Sequence, residues 1–219
     1  MQVHYHRAVA TRERAACPRP YSGARRQQQS DRKRTKILAA ARAQLESKGF
    51  VDFSLESIAR KSGVTRQTIY NLFGSRSGLL EALFDQLAIS GGMERMRSVM
   101  QQTDPESALA DFVDVFCGFW SKDRLLIRRI HGIAAIDPEL GAAVEARNRR
   151  RQGAAARIVN LLHATDAART AEKASDRAIT LWALTSFEFF DALAEATGSL
   201  EEAKRMVYEQ VRKALMPPS

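Results

Sequence analysis

Two short amphipathic helices joined by a glycine-containing turn are the feature of this sequence that most limits its fold. Residues 54–73 read SLESIARKSGVTRQTIYNLF. Ser54 is a favourable N-cap residue, and Gly63 can adopt the positive φ that a tight turn between helices often needs. Apolar residues recur at helical spacing before and after the turn, with Leu55 and Ile58 in the first helix and Ile69 in the second. The pattern predicts a helix-turn-helix unit.

Helical patterning also fills the rest of the chain. Ile37, Ala41 and Leu45 lie four residues apart on one stripe, and Asp104-Pro105 and Asp137-Pro138 are typical helix starts. No alternating strand pattern and no repeat of fixed period occurs. We therefore predict an all-α fold, with an N-terminal three-helix helix-turn-helix domain and a C-terminal helical domain.

The positive charge of this chain is concentrated in its N-terminal third. The 219 residues carry a formal net charge of +9, with 16 basic and 5 acidic residues before Leu79 against 18 and 20 from Leu79 onward. A basic segment on a slightly acidic body favours a polyanion partner for that segment alone. A solvated basic surface is the alternative on charge alone.

Residues 1–29 are interpreted as a basic, disordered arm. They hold six arginines, one acid and no lasting apolar period. Such a segment buries too little to offset its chain entropy. It either lies on DNA phosphates or in a minor groove, or is an unstructured leader, and the leader is favoured.

Several classes of protein are excluded by what the sequence lacks. The two cysteines form no C-x-x-C pair, and no histidine spacing outside the N-terminal arm indicates a metal site. No phosphate-binding loop, zinc-hydrolase or nucleophile-elbow motif occurs, so we predict no enzyme and no cofactor. No apolar run of membrane-spanning length and no secretory signal is present, which favours the cytoplasm.

The second helix of the unit offers hydrogen-bonding side chains on its outer face. A recognition helix reads base edges in the major groove with such groups near its N-terminus. The candidate DNA-contacting residues of this helix are Thr65, Arg66, Gln67, Thr68, Tyr70 and Asn71.

The stretch from about Asp31 to Gly91 resembles the DNA-binding domain of the TetR family of bacterial transcriptional regulators. The likeness is carried by S-L-E-S-I-A, then S-G-V-T, then I-Y-N-L-F and G-S-R-S-G-L-L, in that order and spacing. Two positions depart from the family pattern. Arg76 stands where a lysine is usual, which keeps the charge, and Asn71 occupies a position that is often aromatic or histidine.

The resemblance implies roles and an assembly. Ser54, Tyr70 and Arg76 match positions that contact phosphates, and the remaining candidates lie on the helix that reads bases. It further implies a homodimer, formed through helices near residues 171–197 and 199–215, that binds a palindromic double-stranded operator. Domain bounds of 31–91 for DNA binding and 92–219 for effector binding and dimerisation follow.

In the family, the C-terminal helices enclose an effector pocket. The alternative for each aromatic residue is simple core packing, and the arginine belt at residues 147–151 is interpreted as a solvated face. The candidate pocket residues are Phe112, Phe116, Phe119, Trp120, Arg128, His131, Trp182, Phe187 and Phe190.

The function predicted from the sequence is a repressor released from its operator by a small apolar or aromatic effector. Two alternatives remain at this point. One is a sequence-tolerant DNA-binding accessory protein without an effector, and the other is an all-α enzyme or partner-binding bundle.

Overall fold

The computed structural model describes residues 21–48, 53–164 and 171–216. Within these ranges the chain is helical and has no strand, which confirms the predicted all-α class. A 3-10 turn at Met93–Arg95 separates the fourth and fifth helices. The helices are α1 Tyr21–Lys48, α2 Leu55–Ser62, α3 Arg66–Phe73, α4 Arg76–Ser90, α5 Met96–Val99, α6 Pro105–Lys122, α7 Arg124–Ala134, α8 Pro138–Ala164, α9 Ala171–Leu184, α10 Phe187–Thr197 and α11 Leu200–Leu215.

Helices α1 to α4 form the N-terminal unit. The stripe of α1 is fully buried at Ile37 and Leu45, and it packs with Ile58 of α2 and Ile69 of α3. Burial of these aliphatic side chains contributes roughly 1.5–3 kcal/mol each, so the short α2 and α3 depend on this packing for their stability. The predicted inner faces of these helices are confirmed.

Helix α4 belongs to both halves of the molecule, because it packs against α1 and α3 on one side and against α6, α7 and α8 on the other. It ends at Ser90, where Gly91 and Gly92 follow. A Cβ atom at Gly91 would lie 2.6 Å from Cδ2 of Phe119 in α6, so the chain passes α6 at a distance that only glycine permits.

The C-terminal body is a bundle in which α8 packs along α9, and α11 packs against α9, α10 and α6. Its interior is apolar and continuous with the core of the N-terminal unit. Side chains without solvent exposure come from every layer, including Phe112, Leu181, Phe190, Val207 and Val211. None of the helices among the described residues is long and apolar enough to cross a membrane.

The start of α1 differs from the sequence interpretation. Residues 21–29, assigned above to a disordered arm, are helical, because arginine and glutamine, which are good helix formers, make up five of these nine residues. Gln27 also donates from Nε2 to Oδ1 of Asp31, 3.0 Å away. Residues 1–20 of the proposed arm, and residues 49–52 after α1, lie outside the described residues.

The predicted helix over residues 171–197 is two helices. Ser186 has an extended backbone and accepts a hydrogen bond from the Phe189 amide, so it caps a new helix, α10. The Thr185 hydroxyl donates to the Leu181 carbonyl and ends α9. Helix α7 was not separated from its neighbours by the sequence pattern, because only Asp123 stands between α6 and α7.

Candidate functional site

The turn between α2 and α3 has the geometry that its glycine suggested. Gly63 adopts φ 69°, in the left-handed region, and its amide donates toward the carbonyls of Ala59 and Arg60. The Val64 amide bonds the Ala59 carbonyl at 3.0 Å. Thr65 then caps α3 by accepting from the Thr68 amide at 3.2 Å. These bonds fix the angle at which α3 leaves the unit.

Helix α3 presents polar side chains on one side and apolar ones on the other. Ile69 is fully buried, whereas Thr65, Gln67 and Asn71 are exposed and Thr68 is half-buried. Gln67 donates from Nε2 to Oδ1 of Asn71 at 2.9 Å, so these two amides lie together on the outer face. Paired amides of this kind offer donors and acceptors suited to the edge of adenine.

Arg66 is held in place at the start of α3. Its guanidinium forms an ion pair with Glu56 of α2, and it lies 6.0 Å from the ring centre of Tyr70. The Glu56 pKa is lowered, first by the backbone amide hydrogen bond and then by the Ser54 hydroxyl and the Arg66 charge. Arg66 and Tyr70 are both exposed, the latter by 38%, so this cluster is available to a ligand.

The three residues assigned to phosphate contacts occupy helix starts or the exposed face. Ser54 caps α2, accepting from the Ser57 amide at 3.4 Å, and donates to Oε2 of Glu56 at 3.1 Å. Arg76 begins α4, and its guanidinium carbon lies 5.3 Å from the ring centre of Phe53, which precedes α2. Helix N-termini attract anions, so these positions are suited to a phosphate backbone.

Polar contacts join this unit to the body. Ser77 of α4 donates to Asp137, with 2.9 and 3.0 Å to the two carboxylate oxygens, and Ser75 donates to Oε1 of Glu139 at 2.6 Å. Arg129 of α7 donates to the Leu45 and Glu46 carbonyls near the end of α1. The position of the recognition helix is therefore tied to α7 and α8.

A cavity of about 320 Å³ lies in the body between α4, α6, α7 and α8. Its wall is mostly apolar, and it brings together four of the predicted pocket residues, Phe116, Phe119, Trp120 and His131. Other lining residues, not predicted, are Phe84, Ala88, Met93, Met96, Val144 and Ala154, together with the polar residues Asp85, Arg147, Asn148, Arg150 and Arg151. Both the size and the lining are those of a small-molecule site.

The remaining predicted pocket residues lie outside this cavity. Phe112 and Phe190 are fully buried core residues, and Phe187 packs its ring against Trp120 and His131. Arg128 is on the surface, where it forms ion pairs with Asp191 and Glu195. Trp182 packs beside Arg151, 5.2 Å from its guanidinium carbon to the ring centre.

Arg151 is the site residue that the sequence analysis missed. The arginine belt was interpreted as solvated, yet Arg151 is only 6% exposed. Arg147, its neighbour one turn away, pairs with Asp85 at the rim of the cavity. The one available signal was position, since Arg151 shares a face of α8 with the buried Ala155 and Ile158 at helical spacing.

Comparison with known proteins identifies the N-terminal unit. A family model described as bacterial regulatory proteins of the tetR family matches residues 37–83. The HTH-type transcriptional regulator EthR of Mycolicibacterium smegmatis is 33% identical over 89 residues, which are 39% of this chain and 40% of that relative. The aligned segment thus spans about two-fifths of the curated relative's length.

Solved structures extend the likeness to the whole fold. A TetR transcription regulator from Haloarcula marismortui superposes with a TM-score of 0.65 at 18% identity, covering 83% of this chain and 97% of that one. NalD, the secondary repressor of the MexAB-OprM multidrug efflux pump in Pseudomonas aeruginosa, gives 0.64 at 21%, covering 86% and 98%.

The capped turn and the exposed polar face of α3 define a helix-turn-helix unit, and this unit is joined to a helical body. Residues 37–83 match the model of the tetR family of bacterial regulatory proteins, and this part of the chain is similar to HTH-type transcriptional regulators. The curated relatives that match this segment are HTH-type transcriptional regulators, in agreement with the prediction that the chain is not an enzyme.

Proposed function

We propose that this protein is a transcriptional repressor that binds a specific DNA operator and is released from it by a small molecule. The observation that carries the proposal is the outer face of α3. There Arg66, Gln67 and Asn71 are exposed together beyond a buried Ile69, so the helix offers base-reading groups in one direction.

A second copy of the chain completes the DNA-binding form. A single α3 reads one half-site, and two copies related by a two-fold axis read a palindrome whose half-sites are about 34–36 Å apart. We place the contact between copies on α9, α10 and α11. Ile179 of α9, 49% exposed, supports this placement as a large apolar side chain open to solvent.

Release follows from the place of the cavity in the fold. Phe84, Asp85 and Ala88 of α4 line it, and α4 continues directly from the recognition helix. A ligand that binds better when α4 has moved lowers operator affinity by the same coupling free energy. A coupling of about 1–3 kcal/mol weakens operator binding roughly 5–150-fold. The name of NalD as a repressor agrees with this proposal.

The test of the proposal is retention of DNA from the genome that encodes the protein. The purified protein is incubated with sheared genomic DNA at about 150 mM salt, and the retained fragments are sequenced. We expect one or a few palindromic intergenic sites. Uniform recovery without a motif would instead support a sequence-tolerant accessory protein and overturn the repressor.

Variants separate base readers from residues that position the protein. Arg66→Ala, Gln67→Ala and Asn71→Ala are expected to relax the preference between operator and altered operators. Tyr70→Phe and Arg76→Ala are expected to weaken binding by similar factors on all sequences. Equal losses for all five variants on every DNA would contradict this division of roles.

A further inference from the structure

The cavity in the body contains a buried cation that no acidic side chain contacts. Arg151 lines the wall, and burial lowers its pKa to about 10, so it remains charged at neutral pH. Among the described residues its hydrogen bonds all run from Nη1, to the Trp182 carbonyl and to Oγ1 of Thr185. Both acceptors are neutral, and burying a charge without an opposite charge is costly.

One edge of the Arg151 guanidinium has no acceptor in the described part of the chain. Nε is buried without a hydrogen-bond partner, and Nη2 donates to none of the described residues. The same protein shows what this edge binds elsewhere. Arg128 donates from Nε and Nη2 to the two oxygens of Asp191, at 2.8 and 2.9 Å. A carboxylate is thus the matching partner for the open edge of Arg151.

The acidic side chains around the cavity do not provide a carboxylate for this edge of Arg151. Asp85, at the wall, pairs with Arg147 at 2.6 Å. Glu188 acts on Arg151 only through space, since its carboxylate contacts Nδ1 of His131 at 2.9 Å. The positive charge at Arg151 is therefore not cancelled by a contacting group of the described chain.

The surroundings of Arg151 favour an apolar body on the ligand. The guanidinium carbon lies 5.8 Å from the ring centre of Phe116, which also lines the cavity with Phe119, Trp120 and Met96. At about 320 Å³ the cavity is at the lower end of the range for small-molecule sites. A short aromatic or aliphatic group fits that space, with its charged end at Arg151.

From this geometry we infer that the effector is a small apolar carboxylic acid, bound as its anion with the carboxylate on the Nε/Nη2 edge of Arg151. The inference rests on the proposed function, since it names the chemistry of the effector in that cavity. Arg151 selects the anion over the uncharged molecule of the same shape, and the aromatic wall holds the apolar part.

The experiment compares acids with their amides on the full-length protein by titration calorimetry. The probes are phenylacetate and octanoate, each against phenylacetamide or octanamide, which keep the shape and lose the charge. A charge-assisted bidentate contact predicts that the wild type binds each acid about tenfold more tightly than its amide, or better. Equal binding of acid and amide, or no saturable binding of either acid, overturns the inference.

Substitutions of Arg151 test whether this residue causes the preference for acids over amides. In Arg151→Met the acid and amide are expected to bind equally, whereas the matched variant Arg149→Met, exposed on the same helix, keeps the wild-type ratio. Circular dichroism establishes that each variant is folded, and Arg151→Lys, which keeps a charge without the fork, is expected to retain only part of the preference. A folded Arg151→Met that still prefers the acids contradicts the assignment.

Retention of genomic DNA, measured without any acid, tests the proposed function separately. If the preference for acids depends on Arg151 but the recovered DNA contains no motif, the anion site is supported and the repressor function is contradicted. If the recovered DNA contains a clear operator motif but the protein shows no preference for acids, only the anion site is contradicted.

Discussion

At the scale of single residues, burial decides what a side chain can do, and Cys117 is a clear case. It is 1% exposed inside α6, and burial raises the pKa of its thiol to about 12. Because the thiolate is the reactive form, a thiol in this environment is inert near neutral pH. The sequence left its reactivity open.

We therefore expect Cys117 to resist thiol reagents while the protein is folded. Cys17→Ser leaves Cys117 as the one thiol of the chain. At about pH 8 this variant should react with a disulfide reagent only after denaturant is added, and then with one equivalent. Rapid reaction of the native variant would show that the thiol is accessible.

Arginines show why a residue's environment escapes sequence reasoning. Arg128 and Arg151 both looked like polar positions on helices, and only Arg128 was considered as a ligand contact. The structure places Arg128 in surface ion pairs and Arg151 at the cavity wall. Arg151 is buried because α8 packs along α9, and no local sequence pattern indicates that packing.

At the scale of helices, the start of α8 holds α4 in place. Asp137 accepts from the Leu140 amide at 3.0 Å and from the Ser77 hydroxyl. These contacts lower its pKa, first through the Leu140 bond and then, against the cost of burial, through Ser77. A lowered carboxyl pKa contributes stability that is fully present above the ordinary pKa of the group, and this contribution is lost as the pH falls through the lowered pKa of the folded state.

Asp137→Asn should accordingly show a stability difference that depends on pH. At about pH 7 we expect the variant to unfold about 1 kcal/mol more easily than the wild type in urea, and the gap should close toward about pH 3. Asp176→Asn, at an exposed position of α9, is the matched control and should show no gap at either pH. An equal gap for Asp137→Asn at both pH values would exclude the charge as the cause.

Arg129 connects α7 to α1 by binding carbonyl groups at the C-terminal end of α1. Its guanidinium donates to the Leu45 and Glu46 carbonyls, which stand in the last turn of α1, where a cation also suits the helix dipole. Arg129→Met should lower the free energy of unfolding by about 1.5–3 kcal/mol. Arg149→Met, which loses only an exposed pair with Glu145, should stay within about 0.5 kcal/mol of the wild type.

Helix boundaries that rest on local chemistry could be predicted, and those that rest on packing could not. Ser54, Asp104 and Ser199 each cap a helix as their residue types indicate. The break after Leu184 was missed because apolar spacing continues across it, from Leu181 to Phe190. The turn and outer face of α3 were predictable because local residue types set them, whereas the cavity, which depends on how α4, α6, α7 and α8 pack together, was predicted only in part.

At the scale of the whole molecule, the uneven charge gives the two halves different partners. Exposed cations on α1, among them Arg32, Lys33 and Lys36, adjoin the unit that carries the recognition helix. The residues from Leu79 onward, which comprise most of α4 and the whole body, include 18 basic and 20 acidic residues and so have no net attraction for a polyanion. Phosphate contacts should therefore come from the N-terminal unit alone.

The salt dependence of DNA binding measures this division directly. Each phosphate contact adds about 0.9 to the slope of log affinity against log salt, because it releases condensed counterions. Replacing Arg32, Lys33 and Lys36 by glutamine should lower the slope by about that amount for each phosphate that the variant no longer neutralises, on operator and unrelated DNA alike. The matched control replaces three exposed body arginines, Arg97, Arg149 and Arg212, and should leave the slope unchanged, since those cations lie outside the unit that meets the duplex. If the body variant lowered the slope as much as the α1 variant, the net charge of the whole molecule would determine DNA binding. That result would contradict the prediction that phosphate contacts come from the N-terminal unit alone.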